Sequence, residues 1–192
     1  MELPQPAVTP APTTPAPTPA PAALIRIDDD LVLRPFDPGA DLDTWVRVID
    51  ESLEHLRPWM PWAAEHSRDR TAGFLAGRAE LWEAGEEFSY AVAVDGRLVG
   101  TCGLFRHEDT PEGAYEIGYW LHPAATGRGI ATRAAAAMVQ EGFRLPGVDE
   151  LLILHDAANH SSGAVAARLG FTEAGVDADG LRTWRSVRAT RQ

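Results

Sequence analysis

Apolar residues along this chain switch between a spacing of two and a spacing of three to four, and the switches mark out its elements. Leu31-Val-Leu-Arg-Pro-Phe36 reads as a strand. Leu42, Trp45, Val46 and Ile49 then recur at helical spacing behind Asp41, a residue suited to accept N–H bonds as an N-cap. His55 to Ala63 holds two prolines and two tryptophans, so an irregular aromatic segment is expected there. Helical spacing returns over Arg68–Ala84 through Phe74, Leu75, Leu81 and Trp82. Phe88–Val94 and Arg97–Phe105 form a hairpin, because Asp95-Gly96 supplies the positive φ angles of a type I′ turn. Ala114–Leu121 is a further strand.

Beyond it, Gly129–Gly142 is an alanine-rich helix, Glu150–Leu154 a strand and Asn159–Leu169 a helix. Phe171–Val176 and Leu181–Val187 close the chain as a second hairpin, turned at Asp179-Gly180. No internal repeat is visible. The order βαα-βββ-αβ-αββ predicts an α/β sandwich in which helices flank a mixed sheet.

Upstream of Leu24 the pattern stops. Residues 1–23 are almost entirely Pro, Ala and Thr, with eight prolines from Pro4 to Pro21. Such a segment has no periodic apolar face to offset its ordering entropy, so an extended, polyproline-like tail is expected. A docking ligand for a proline-reading domain is the alternative. Residues 24–192 then form one domain, which is what 192 residues with 45% hydrophobic content can core.

No apolar run approaches the eighteen residues of a membrane span, and no basic-then-apolar leader opens the chain. The lone Cys102 excludes an intrachain disulfide and fits a reducing compartment, so a cytoplasmic protein is expected. A net charge of −11 argues against nucleic acid and anionic membrane as partners and suits cationic amines, although acidity also serves solubility. All 17 basic residues are arginine, which excludes a catalytic lysine.

The strongest chemical signal is a junction. The strand Tyr115-Glu-Ile-Gly-Tyr-Trp-Leu121 runs into His122-Pro-Ala-Ala-Thr-Gly-Arg-Gly-Ile-Ala-Thr132, and a helix follows at once. Glycines there let backbone approach a ligand, and the free N–H groups of a first helical turn attract phosphate. The loop has neither the G-x-G-x-x-G spacing of a dinucleotide fold nor the G-K-[ST] of a Walker loop.

Ala124-Ala-Thr-Gly127-Arg-Gly129 resembles the pyrophosphate-binding motif [QR]-x-x-G-x-[GA] of the GNAT superfamily, with Ala124 where Gln or Arg is common. That departure removes one side-chain contact and leaves the backbone cradle. Asn159-His-Ser-Ser162 followed by Ala167-Arg-Leu-Gly-Phe171 resembles the superfamily's last helix and its entry into the closing hairpin. The resemblance runs from about Leu31 to Val187. It implies a GNAT-like mixed, largely antiparallel sheet flanked by helices. Leu31-x-Leu-Arg-Pro, Trp59-Met-Pro-Trp62 and Tyr115-Glu-Ile-Gly-Tyr-Trp are similar to the ribosomal-protein N-terminal (RimJ/RimL-type) acetyltransferase branch.

The resemblance implies direct transfer of acetyl from acetyl-CoA to a primary amine, with a protein N-terminal α-amine as first acceptor. A small amine (an antibiotic or a polyamine), a succinyl donor, and a silent CoA-binding module are the alternatives. A homodimer is compatible with the reading. Leu121, His122, Thr126, Gly127, Arg128, Gly129, Ile130, Ala131, Thr132 and Asn159 then hold the coenzyme, Leu121 through a backbone N–H at the thioester oxygen. Asn159 alternatively caps its helix, or does both. Glu116 is the candidate base, with a pKa raised by partial burial; otherwise it faces solvent or pairs with an arginine, and His107 or His122 substitutes. Ser162 is the candidate proton donor to the leaving sulfur, or an ordinary first-turn residue. Trp59, Met60 and Trp62 line the acceptor pocket or join the core. Cys102 lies mid-strand without a neighbouring histidine, so no acyl-enzyme is expected. No metal is expected either, since His55 and His66 are far apart and His155 and His160 are five residues apart.

Overall fold

The computed structural model describes residues 19–189. In chain order these give β1 (Ile25–Arg26), β2 (Leu31–Arg34), α1 (Pro38–Asp50), α2 (Leu53–Leu56), α3 (Arg68–Ala84), β3 (Glu87–Val94), β4 (Arg97–Phe105) and β5 (Ala114–Leu121). There follow α4 (Ile130–Gly142), β6 (Glu150–Asp156), α5 (His160–Arg168), β7 (Thr172–Val176) and β8 (Leu181–Val187). The strands make one sheet in the order β1-β2-β3-β4-β5-β6-β8-β7. Every adjacent pair is antiparallel except β5 with β6. This is the mixed, largely antiparallel α/β sheet expected.

Residues opposed in a ladder share a face, so the register sorts the side chains. The rows Tyr90–Cys102–Tyr119 and Phe88–Leu104–Ile117 face α4, where they pack with Ile130, Ala134 and Met138. The row Ala91–Thr101–Trp120 faces the other way. There Ala91 and Trp120 pack with Trp45 and Ile49 of α1 and with Phe74 and Leu75 of α3. Helices on both faces explain why every residue from Phe88 to Val94 is buried.

The expected boundaries shift in three places. Asp37, not Asp41, caps α1, accepting from the Gly39 and Ala40 N–H groups while Pro38 opens the helix. Asp41 sits buried in the first turn instead, its carboxylate held by Arg34 at 2.6 and 2.7 Å. The aromatic segment begins inside the short α2 and ends in a 3₁₀ turn, Pro61–Glu65, leaving only its middle irregular. Asp95 and Gly96 do take φ of +51° and +73°. The second hairpin is closed by the longer loop 177–180, in which the Asp177 carboxylate accepts from the Asp179 and Leu181 N–H groups.

Most of the Pro/Ala/Thr segment, residues 1–18, lies outside the described residues. Packing reaches back past Leu24, however. Pro21 is buried, the Ala22 N–H donates to Glu141 Oε2 at 2.9 Å, and the Tyr90 hydroxyl donates to the Ala22 carbonyl at 2.7 Å. Glu141 is 5% exposed and also takes a bond from Arg144. A carboxylate buried this far needs such partners, so Ala22 is part of the fold. Among the described residues no helix is long and apolar enough to cross a membrane.

Candidate active site

β4 and β5 stay paired from Gly100↔Leu121 to Phe105↔Glu116, but β6 follows β5 only from Ala114↔Glu150 to Glu116↔Leu152. Past Glu116 the two parallel strands part. The His122 N–H donates to the Val99 carbonyl at 2.7 Å, on the β4 side. Alternation along the strand then aims Gly118 and Trp120 at β4 and turns the N–H groups of Tyr119 and Leu121 into the gap. A polar backbone edge, including the Leu121 N–H, is thus presented inside the sheet.

The chain leaves β5 through a 3₁₀ turn, Pro123–Ala125, where the Thr126 hydroxyl donates to the Pro123 carbonyl at 2.8 Å. Gly127 and Gly129 follow with φ of +71° and +72°, the left-handed region that glycine enters freely. Gly129 is the N-cap of α4 and has no side chain to accept its N–H groups. The first helical bond runs from Arg133 N–H to the Gly129 carbonyl, so the Ile130, Ala131 and Thr132 N–H groups remain for a ligand. With the positive end of the helix dipole behind them, they fit a pyrophosphate.

A cleft of about 1840 Å³ opens onto both faces of β5, large enough for a coenzyme and an acceptor together. It is lined by Thr126, Gly127, Gly129, Ile130, Ala131, Thr132 and Leu121, by Asn159 and Ser162, by Glu116, and by Trp59, Met60 and Trp62. Two residues expected at the coenzyme do not line it. The His122 imidazole accepts from Ala124 N–H at 3.1 Å and reaches Glu51 at 3.2 Å, tying the turn to the end of α1. Arg128 is exposed, and its carbonyl accepts from Arg133.

Glu116 stands at the apex of the fork, the last β5 residue in register with β6. Its side chain is 23% exposed, and burial pushes its pKa above the usual carboxylate range, with His107 at 3.9 Å pulling the other way. A carboxylate in that environment is a better proton acceptor than one in water. No arginine pairs with it among the described residues.

Asn159 caps α5 by accepting the Ser162 N–H at 3.2 Å, and it borders the cleft as well. The Ser162 hydroxyl is 3.0 Å from that of Tyr119, a residue with no motif of its own in the sequence. Strand parity was the available signal, since Tyr119 falls on the opposite face of β5 from Glu116. Burial pushes the Tyr119 phenol up to about 12, and its bond to Ser162 pulls it the other way.

At the acceptor end Trp45 stacks on Trp120 with centroids 4.8 Å apart, and Trp62 lies 5.9 Å from Trp120 at the rim. Trp45 and Trp120 line the cleft too, and sequence gave no reason to separate them from core. Cys102 is fully buried outside the cleft lining, and burial holds its thiol far above the usual range. Among the described residues no three His, Cys, Asp or Glu side chains converge as a metal site.

Residues 30–172 match the family described as the acetyltransferase (GNAT) domain, and the chain belongs to that family. It is an N-acetyltransferase that uses acetyl-CoA as co-substrate. It is similar to YdaF of Bacillus subtilis (strain 168), which carries a provisional ribosomal N-acetyltransferase name. The two are 25% identical over 158 residues, 81% of this chain and 85% of YdaF. It is 27% identical over 158 residues to the mycothiol acetyltransferase of Thermomonospora curvata, 82% of this chain but 50% of that protein. The solved structure of RimL, a ribosomal L7/L12 α-N-protein acetyltransferase in complex with coenzyme A, superposes with a TM-score of 0.78. It covers 85% of this chain and 97% of that one at 20% identity, a likeness of fold.

Proposed function

We propose that this chain moves the acetyl group of acetyl-CoA onto a protein N-terminal α-amine by direct attack. The observation that carries the reading is the fork, where an uncapped helix N-terminus and a half-buried carboxylate open into one cleft from opposite faces of β5. The co-substrate supplies an activated thioester. The N–H groups of Ile130, Ala131 and Thr132 hold its pyrophosphate, with Thr126, Gly127 and Gly129 shaping the approach and Asn159 beside it. Glu116 takes the proton of the attacking amine. The Leu121 N–H faces the carbonyl oxygen as charge gathers there. As the carbon–sulfur bond breaks, Ser162 gives a proton to the sulfur and regains one from Tyr119, which takes a proton back from solvent in the cleft as Glu116 releases its own there. Trp59, Met60 and Trp62 border the acceptor.

The names of YdaF and RimL support an N-terminal acceptor, and the chain's net charge of −11 supports a cationic one. Residues 24–192 form the catalytic domain, with Pro21 and Ala22 as its anchor and the preceding residues as a tail. The unpaired, buried Cys102 supports a cytoplasmic site of action. A small-molecule amine is the second reading, favoured by the similarity to mycothiol acetyltransferase. A thiol-release assay with acetyl- and succinyl-CoA against N-terminal peptides and small amines decides between them. Peptides should give the highest kcat/KM. A small amine that exceeds every peptide overturns the first reading in favour of the second.

A further inference from the structure

Three polar side chains on the acceptor face have no part in the roles above. Arg78 of α3 lies over the Phe74 ring, 4.1 Å from its centroid, and its Nε donates to the Phe74 carbonyl at 2.8 Å. Its Nη1 donates to Glu87 Oε1, which also accepts from the Ser89 hydroxyl. Both members of the ion pair are 16% exposed, yet all three residues line the same cleft as Glu116. Glu87 Oε2 and Arg78 Nη2 take no protein partner among the described residues. The pair is half-buried and its two spare atoms stay open to the cleft, so an acceptor beside a donor is presented to whatever molecule occupies it.

The position of the pair says which ligand. Glu87, Phe105 and Glu116 are opposed across β3, β4 and β5, so they stand in one row on one face. Two strand spacings put Glu87 roughly 10 Å from Glu116. The ground between them is low. The next row is Ser89–Gly103–Gly118, and the Phe105 ring lies over Gly118, where a Cβ would come within 2.9 Å of it.

We propose that Arg78 and Glu87 form a second acceptor subsite that grips one extended residue of the acceptor while the α-amine stands at Glu116. Arg78 Nη2 donates to that residue's carbonyl and Glu87 Oε2 accepts its N–H, two groups that point to the same side of an extended backbone. The inference rests on the N-terminal-acceptor reading and adds the reason peptides are chosen. An extended chain advances 3.3–3.6 Å per residue, so a reach of roughly 10 Å brings the third or fourth residue, whose nitrogen is the second or third peptide nitrogen, onto the pair. A polyamine offers no such residue.

The test is kcat/KM over a series running from an amino-acid amide through di-, tri- and tetrapeptide amides, with spermidine alongside. The wild-type series should rise about tenfold or more by the tetrapeptide, the scale of hydrogen bonds to charged groups. In Arg78→Met/Glu87→Gln, which removes both charges together, the ratio of tetrapeptide to amino-acid amide should fall to about one. N-methylation of the second or third peptide nitrogen removes the bond from the substrate side and should cost the wild type a similar factor, whether or not the double variant folds. A flat wild-type series, or one indifferent to N-methylation at both positions, overturns the subsite alone. Turnover of spermidine with no peptide acetylated overturns the acceptor reading and the subsite together.

Discussion

The hydroxyl of Tyr119 on β5 lies 3.0 Å from the hydroxyl of Ser162 on α5, across the mouth of the fork. With its phenol pushed up to about 12, Tyr119 keeps its proton throughout the neutral range and can restore the one that Ser162 gives away. Ser162→Ala should lower kcat by about 10²-fold, and Tyr119→Phe should lower it in the same direction by less, both with coenzyme affinity retained. Single-turnover kinetics would measure both. A loss under about threefold in each would mean that the thiolate leaves without their help.

Gly129→Asp places a carboxylate in the mouth of three free N–H groups. Its Cβ would meet only Arg133 Nη1, at 3.4 Å, and aspartate is a favourable N-cap that tolerates a left-handed backbone. The fold should therefore survive while coenzyme A binding is lost. Calorimetry on a variant melting within about 5 °C of wild type checks it, and undiminished affinity would remove the pyrophosphate from this loop.

Glu116→Gln keeps the shape and removes the proton acceptor, so kcat should fall by about 10²–10⁴-fold and the acidic limb of the pH–rate profile should shift or vanish. Stability should move the opposite way. Burial raises the carboxyl above its ordinary value near 4.5, so the charged form is disfavoured in the folded state. That penalty is absent below the unfolded value and appears as pH rises through the folded one. The glutamine variant should melt higher than wild type at pH 7 and lose its margin by about pH 4. Equal melting temperatures at both pH values would show that Glu116 carries no burial penalty.

Two truncations separate tail from anchor. Removing residues 1–18 takes away only Pro/Ala/Thr-rich sequence and should leave the melting temperature within about 1 °C. Removing residues 1–22 also strips the Ala22 bonds from Glu141 and Tyr90. One to three kcal/mol per lost bond corresponds to a drop of about 4 °C or more in a domain this size. Scanning calorimetry of both forms tests the contrast.

What could be read in the sequence was whatever depends on near neighbours. Asp95-Gly96 announced its turn, the helical spacings announced α1 and α3, and the glycine loop before α4 announced an anion cradle. The N-terminus of α1 was legible too, because Asp37-Pro38 is a cap followed by an N1 proline. Asp41 competed for that role, and only Arg34, folded against it from β2, shows why an acid is needed in the first turn. The fork was out of reach, since it depends on β5 and β6 leaving register after Glu116 and Leu152. So was the meeting of Tyr119 with Ser162, 43 residues apart. Ala22 reads as tail in the sequence because its contribution is a backbone N–H and a carbonyl, which composition cannot reveal.

The parting of β5 from β6 also writes a pattern of period two into amide hydrogen exchange. The Gly118 and Trp120 amides are locked to β4 and should exchange slowly, as in any sheet interior. The Tyr119 amide between them and the Leu121 amide face the gap, and should exchange quickly although Leu121 as a whole is only 7% exposed. Coenzyme entering the fork would slow Tyr119 and Leu121 and leave their neighbours unchanged. Two backbone amides in the middle of a sheet thereby become an intrinsic gauge of occupancy, readable without a label and before any acceptor is known.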